Sequence, residues 1–108
     1  GQAARRGDES VLQVILQRAA GDADAGVRRL ACIAASQIAP RGHASTVGVL
    51  LTRLEDRDGC VRRSATKSLE KAAEKCDVQV VSALLNRTAD AEAFVRHQAI
   101  EALSKLAD

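Results

Sequence analysis

The 108-residue chain contains no Trp, no Tyr and no Met, and a single Phe. Any core must then be assembled from Leu, Ile, Val and a great deal of Ala. Small side chains let helices approach closely, and Ala has the highest helix propensity. With no Trp or Tyr on which bases could stack, nucleic acid is not an expected partner. Charge of one sign is lacking too. Sixteen basic and fourteen acidic residues are interspersed, leaving a net charge of +2. That mixture reads as solvated surface, not as a nucleic-acid or membrane tail. No apolar run approaches the length that crosses a bilayer, so no membrane span is expected. No secretory signal peptide is legible.

Chemistry-bearing patterns are equally sparse. The cysteines are Cys32, Cys60 and Cys76. Their number is odd, no C-x-x-C occurs and no His pair lies nearby. Neither a zinc site nor a disulfide framework fits, so the expectation is three free thiols in a reducing, intracellular compartment. The two histidines, His43 and His97, are followed by Ala44 and Gln98. His43 falls in a Pro-Arg-Gly-His loop and is expected to be solvated. There is no G-x-S-x-G, no phosphate-cradling Gly loop and no spacing that suggests a triad. No catalytic, cofactor-binding or metal-ligating residue is predicted, and the chain is read as non-enzymatic.

What the chain does have is a repeat. Asp22-Ala-Asp24-Ala-Gly-Val27-Arg28 recurs 34 residues later as Asp56-Arg-Asp58-Gly-Cys-Val61-Arg62, and again as Asp90-Ala-Glu92-Ala-Phe-Val95-Arg96. Ala31, Ala65 and Ala99 follow at the same offset. A fixed period of this length marks a repeat architecture. One domain over 1–108 is expected, with a flexible leader at 1–9 and repeats at about 10–39, 45–76 and 77–108. Three copies of a carboxylate pair such as Asp56 and Asp58 are explained by the repeat and do not call for an active site.

Each row divides at its acidic segment into two helices. The second helices carry apolar stripes at helical spacing: Val27, Leu30, Ala31, Ala34, Ala35 and Ile38; then Val61, Ala65, Leu69 and Ala72; then Val95, Ala99, Ala102, Leu103 and Leu106. The first helices are shorter, with Leu12, Ile15, Leu16 and Ala19; Val47, Leu50, Leu51 and Leu54; and Val80, Val81, Leu84 and Leu85. Ser10 with Gln13 reads as a capping box. Asp24, Asp58 and Asp77 stand where N-caps are wanted. Glu92 is a poorer cap, a role Asp90 is expected to share. Pro40 and Gly42 stop the second helix of row one. Gly48 disfavours the helix predicted around it. Nothing alternates with period two, so no strand is predicted and the fold class is all-α.

These residues resemble the HEAT repeat, in which an antiparallel helix pair is joined at an Asp-x-[Asp/Glu]-x-x-Val-Arg segment, with Ala in the middle of the second helix and Leu near its end. All three rows carry the pattern, and the short rows are most similar to the compact, bilin-lyase-like subtype. The Pro common in the family's joining segment is absent from every copy. The resemblance implies a HEAT-type α-solenoid of three antiparallel helix pairs in a right-handed superhelical stack. It also implies a structural ladder between repeats, formed by Asp22, Arg28, Asp56, Arg62, Asp90 and Arg96. An Arg fork grips a carboxylate at two points, which suits such a seam. On this basis Arg62→Ala is expected to destabilise more than Arg53→Ala. The iron-binding His-Glu pairs of the related deoxyhypusine hydroxylases are missing.

In a stack of this kind the second helices line the concave side. Arg29, Arg63 and His97 then form one outward column, followed by Cys32, Thr66 and Ile100, and by Ser36, Glu70 and Ser104. The first column fits contact with an acidic protein or with phosphates; it also fits an ordinary wetted face. The functional expectation is a protein–protein interaction scaffold that binds a partner along the second helices. The alternative is an accessory subunit of an enzyme, of the bilin-lyase-like type. It would hold a protein or tetrapyrrole in a groove lined by Cys60 and Phe94 while a partner chain does the chemistry. Terminal repeats normally present a polar outer face, yet the first helix is apolar from Val11 to Leu16. That predicts a covering repeat, subunit or tail, and hence a place in a larger chain or assembly.

Overall fold

A computed structural model describes the backbone of residues 2–107 and the side chains of residues 8–107. It contains six α-helices: α1 (Gln2–Gly21), α2 (Ala25–Ile38), α3 (Ala44–Arg53), α4 (Gly59–Ala72), α5 (Val78–Arg87) and α6 (Ala93–Leu106). No strand occurs among the described residues. The N-terminal segment read as a leader is helical from Gln2 onward. Ser10 and Gln13 lie inside α1 and cannot form the expected capping box, because the helix has already begun.

Side-chain caps start α2, α3, α4 and α5. Asp24 accepts from the Val27 N–H, Asp58 from the N–H groups of Cys60 and Val61, and Asp77 from that of Val80. Each satisfies donors that the first turn leaves unpaired. His43 is not a free loop side chain. It is the N-cap of α3, half-buried, with Nδ1 accepting from the Thr46 N–H at 3.4 Å. Glu92 makes no side-chain cap to α6. Asp90 does not replace it, because its Oδ1 accepts from the N–H of Glu92, outside the helix.

α1 packs on α2, α3 on α4, and α5 on α6, while α2, α4 and α6 lie side by side. Within each pair the connection is short, which requires the two helices to run antiparallel. The second helices run parallel to one another, as two sets of bonds show. Arg28 near the start of α2 reaches Asp56, just ahead of α4. Beyond the end of α2, the Gly42 N–H donates to Ala72 O at the end of α4 (2.7 Å). The second junction is built in the same way, from Arg62 to Asp90 and from the Cys76 N–H to Leu106 O at 2.8 Å. Gly42 and Cys76 occupy equivalent positions, and both have positive φ, 82° and 64°. The turn needs a left-handed residue that only Gly adopts without strain.

The molecule extends 43 × 34 × 16 Å. So thin a slab has room for one layer of buried side chains, chiefly Leu50, Leu54, Leu69, Leu84 and Leu106 with Val61, Val80, Val95 and Ala. The apolar stripes of α4 and α6 are buried as the pattern required, apart from half-buried Leu103. In α2 they are not: Val27, Leu30 and Ile38 are exposed, and burial falls on Ala31, Cys32 and Ala35. Leu85 of α5 is exposed as well. The column assigned to the outer surface also divides. Cys32 and Thr66 are fully buried, and only Ile100 faces outward. α4 turns one flank to α2 and the other to α6, whereas among the described residues α2 and α6 each have a neighbouring second helix on one side alone.

Gly48 sits inside α3 with nothing within 4 Å of the place a Cβ would take. Gly48→Ala is therefore expected to raise stability by about 1 kcal/mol. Gly42→Ala is expected to lower it, since a Cβ there would meet Glu74 Oε1 at 2.8 Å on a left-handed backbone. Thermal denaturation of the two variants checks the opposite signs.

Candidate functional site

Every residue type in the recurring acidic segment has an assignable task. The first Asp turns the chain: Oδ1 of Asp22, Asp56 and Asp90 each accepts from the N–H two residues on, at 2.9 Å in all three rows. The third residue is the cap described above in rows one and two, where it is Asp, and makes no side-chain cap in row three, where it is Glu92. The Val faces back into the preceding row, which explains why Val61 and Val95 are fully buried and Val27 is not. The Arg does two things at once. Its Nη1 donates to the carbonyl of its own row's first Asp, at 2.8 to 2.9 Å. In rows one and two, Nε and Nη2 then grip the first Asp of the next row. The bonds are Arg28 to Asp56 at 2.9 and 3.0 Å, and Arg62 to Asp90 at 2.9 and 3.0 Å. The pairs thus run between rows, with Asp22 at one end of the series and Arg96 at the other.

Two further arginines complete these carboxylates. Arg53 donates to Asp56 Oδ2 at 2.7 Å and Arg87 to Asp90 Oδ2 at 3.0 Å. Arg53 therefore belongs to the seam and is no neutral comparison for Arg62. The signal was present in the sequence, since Arg53 and Arg87 both stand three residues before the seam Asp. Burial alone would push the Asp56 carboxyl up. The bonds from Arg28, the Asp58 N–H and Arg53 outweigh it and hold the pKa down at about 2. Asp90 is likewise lowered, with burial opposing and Arg62 prevailing. Such carboxylates are locked as anions and have no proton to exchange near neutrality. This cluster does structural work.

Cys32 is buried, and burial pushes its thiol up to about 11, so it stays protonated and inert. Cys60 and Cys76 are exposed; all three are free. Among the described residues no group of His, Cys, Asp and Glu is placed to hold a metal ion. No described helix is long and apolar enough to cross a membrane.

A concavity along the second helices tells a different story. A groove of about 850 Å³ runs along α2 and α4 and ends at α6. Arg29, Arg63, Lys67, Lys71 and Lys105 line it, with Glu70 as the single carboxylate. Glu70 is already engaged by Gln98 at 2.9 Å and Lys105 at 3.2 Å. The groove therefore carries a surplus of positive charge over a floor that includes Ile33 and Ser36. Arg29 and Arg63 come together here as the column suggested. His97 is exposed but lies outside the lining. Lys67 and Lys71 escaped the column reading because neither column is basic throughout: Lys67 is matched by Ile33 and Glu101, and Lys71 recurs as Lys105 but is Gln37 in row one. Lys67 and Lys71 stand four and eight residues after Arg63, one ridge of a single helix. Cys60 lines the groove and Phe94 does not: its ring lies against Gly59, 3.3 Å from where a Cβ would be.

In comparisons with known proteins, the chain matches no family model and no curated relative.

The seam predicts an asymmetric response to mutation. Arg62→Ala leaves Asp90 buried beside a single remaining Arg and is expected to lose about 3 kcal/mol of stability. Arg57→Ala, at an exposed side chain, is expected to be near neutral. Chemical denaturation of both variants checks the difference.

Acid tests the same carboxylates. A depressed pKa stabilises the fold fully above the ordinary value of 3.8, and this contribution disappears as pH falls through about 2. Asp56→Asn, unable to bind the forks as an anion, should be less stable at neutral pH. It should also lose less additional stability across that acid window than the unaltered chain does. Denaturant midpoints measured across the window check both signs.

Proposed function

We propose that the three helix pairs form a short HEAT-type solenoid, stacked as a right-handed superhelix, and that the chain is a non-catalytic interaction module. Support for the solenoid comes from the two seams between rows, which use the same residues at the same offsets and nearly the same distances. The working surface is the groove along the second helices, and its ligand is an acidic segment of a protein partner.

The observation that carries this reading is the charge of the groove. Five cationic side chains line it with one carboxylate, Glu70, which is paired with Lys105 and bonded by Gln98, so four of the cations have no lining carboxylate to balance them. Long, mobile Lys and Arg side chains around a partly apolar floor suit an extended chain of alternating carboxylates and small apolar groups. Contacts of this kind are solvent-accessible and screened by salt, so they favour fast, reversible capture. Locked seam carboxylates and a buried, protonated Cys32 offer nothing to a substrate. The accessory-subunit reading keeps Cys60 as a groove residue but loses Phe94 as its companion. Visible absorbance on incubation with a bilin would favour it.

Fluorescence anisotropy with a labelled Asp- and Glu-rich peptide tests the proposal. The chain should bind it in low salt and release it in high salt, while a neutral peptide of equal length stays free. Arg63→Glu with Lys67→Glu should weaken binding at least roughly tenfold with no fall in melting temperature, since both side chains are exposed. Undiminished binding by the double variant would remove the groove from consideration.

A further inference from the structure

The outer flanks of the first and last described rows are complementary halves of a junction that the chain builds twice inside itself. We infer that they bind one another, so that copies of this chain stack head to tail.

The head is the free flank of row one. Asp22 there is set like its two counterparts, with Oδ1 taking the Asp24 N–H at 2.9 Å. Among the described residues its other oxygen meets only exposed Arg18, at 3.4 Å. Asp56 and Asp90 in the same position each receive a two-pronged Arg from the row before. Beside Asp22, α2 presents Val27, Leu30 and Ile38 to solvent, Leu30 at 59% exposure. The equivalent residues of α6, Val95, Gln98 and Leu106, are at most 6% exposed because α4 covers them.

The tail is the free flank of row three. Arg96 Nη1 is pinned by the carbonyls of Asp90 at 2.8 Å and Ala91 at 3.2 Å, as Arg28 is pinned by those of Asp22 and Ala23. Its Nε and Nη2, the prongs that Arg28 and Arg62 use on the next row, have no partner among the described residues. Ile100 next to it is 60% exposed, whereas its equivalents Cys32 and Thr66 are fully buried.

An unrelated partner would need to match only one of these faces. A second copy matches both, with the anion of one end meeting the fork of the other and apolar stripe meeting apolar residue. The fork is already oriented by its own loop, so little freedom is lost on docking. The contact is heterologous, and successive copies extend into a filament or close into a ring. This surface is separate from the basic groove, which lies on the side of the second helices and not at the ends.

Sedimentation velocity over a range of concentrations tests it. The unaltered chain should grow into multimers, whereas Asp22→Arg alone and Arg96→Asp alone should each stay monomeric, since like charges then meet. An equimolar mixture of the two should associate again, because each altered face finds its opposite on the other variant. Leu30→Glu and Ile100→Glu, at exposed side chains that the free chain does not bury, should weaken association at least roughly tenfold with unchanged melting temperature. They keep the test decisive if a charge-reversed variant folds poorly. An unaltered chain that remains monomeric at every concentration overturns the inference. So does undiminished association of Leu30→Glu and Ile100→Glu, or a mixture of two well-folded charge variants that stays monomeric.

Discussion

The bond between an arginine of one row and the first aspartate of the next sets the register on which the remaining structure is built. Most of the buried residues of the second helices are small, Ala, Val, Thr, Ser or Cys, and small side chains offer little to fix the register of one helix against another. The fork fixes it. Nε and Nη2 must both meet oxygens of one carboxylate, that carboxylate is held by the N–H two residues on, and the Arg is held by a carbonyl of its own loop. Three elements are thereby fixed with a single pair of ions. Desolvating such charges offsets much of their attraction, so the gain lies in geometry more than in net energy. At the opposite end of the helices, the Gly42 and Cys76 N–H groups pin the neighbouring second helix. With both ends held, the rows cannot fan apart or shift by a turn.

This arrangement separates structural charge from available charge. The seam consumes Asp56, Asp90, Arg28, Arg53, Arg62 and Arg87 in bonds that keep the carboxylates ionised near neutrality. The cations that remain accessible gather on the other side of the second helices, where Arg63, Lys67 and Lys71 form one ridge and Arg29 and Lys105 face it across the groove. A nearly neutral chain thus has a locally basic surface. Net charge averages over both populations and conceals the one a partner would meet.

Repetition makes the interior uniform and the ends unlike the interior. A residue such as Val27 is chemically the same as Val61 and Val95, yet it is exposed, because among the described residues no row lies on that flank. Leu30 and Ile100 are the same case at opposite ends. The apolar surface suspected on the first helix is mostly spent inside the molecule, with Leu12 buried and Ile15 and Leu16 half-buried, although Val11 and Val14 remain exposed. A second uncovered stripe lies on α2, at Val27, Leu30 and Ile38.

The sequence by itself determined the helical class, the period and the helix starts at Asp24, Asp58 and Asp77, because caps and apolar spacing act within a few residues. It also marked the seam residues, since three copies of one segment expose their common parts. Which Asp each Arg reaches was decided by tertiary structure, for that depends on how two rows lie against each other. The same holds for the flank each second helix buries, for the burial of Cys32 and Thr66, and for the meeting of Lys105 with Arg29 across three helices. The start of α1 at Gln2 had no sequence signal to mark it, while a plausible cap at Ser10 pointed elsewhere. Local pattern specifies a helix and its amphipathic faces; only packing selects which of those faces another helix covers.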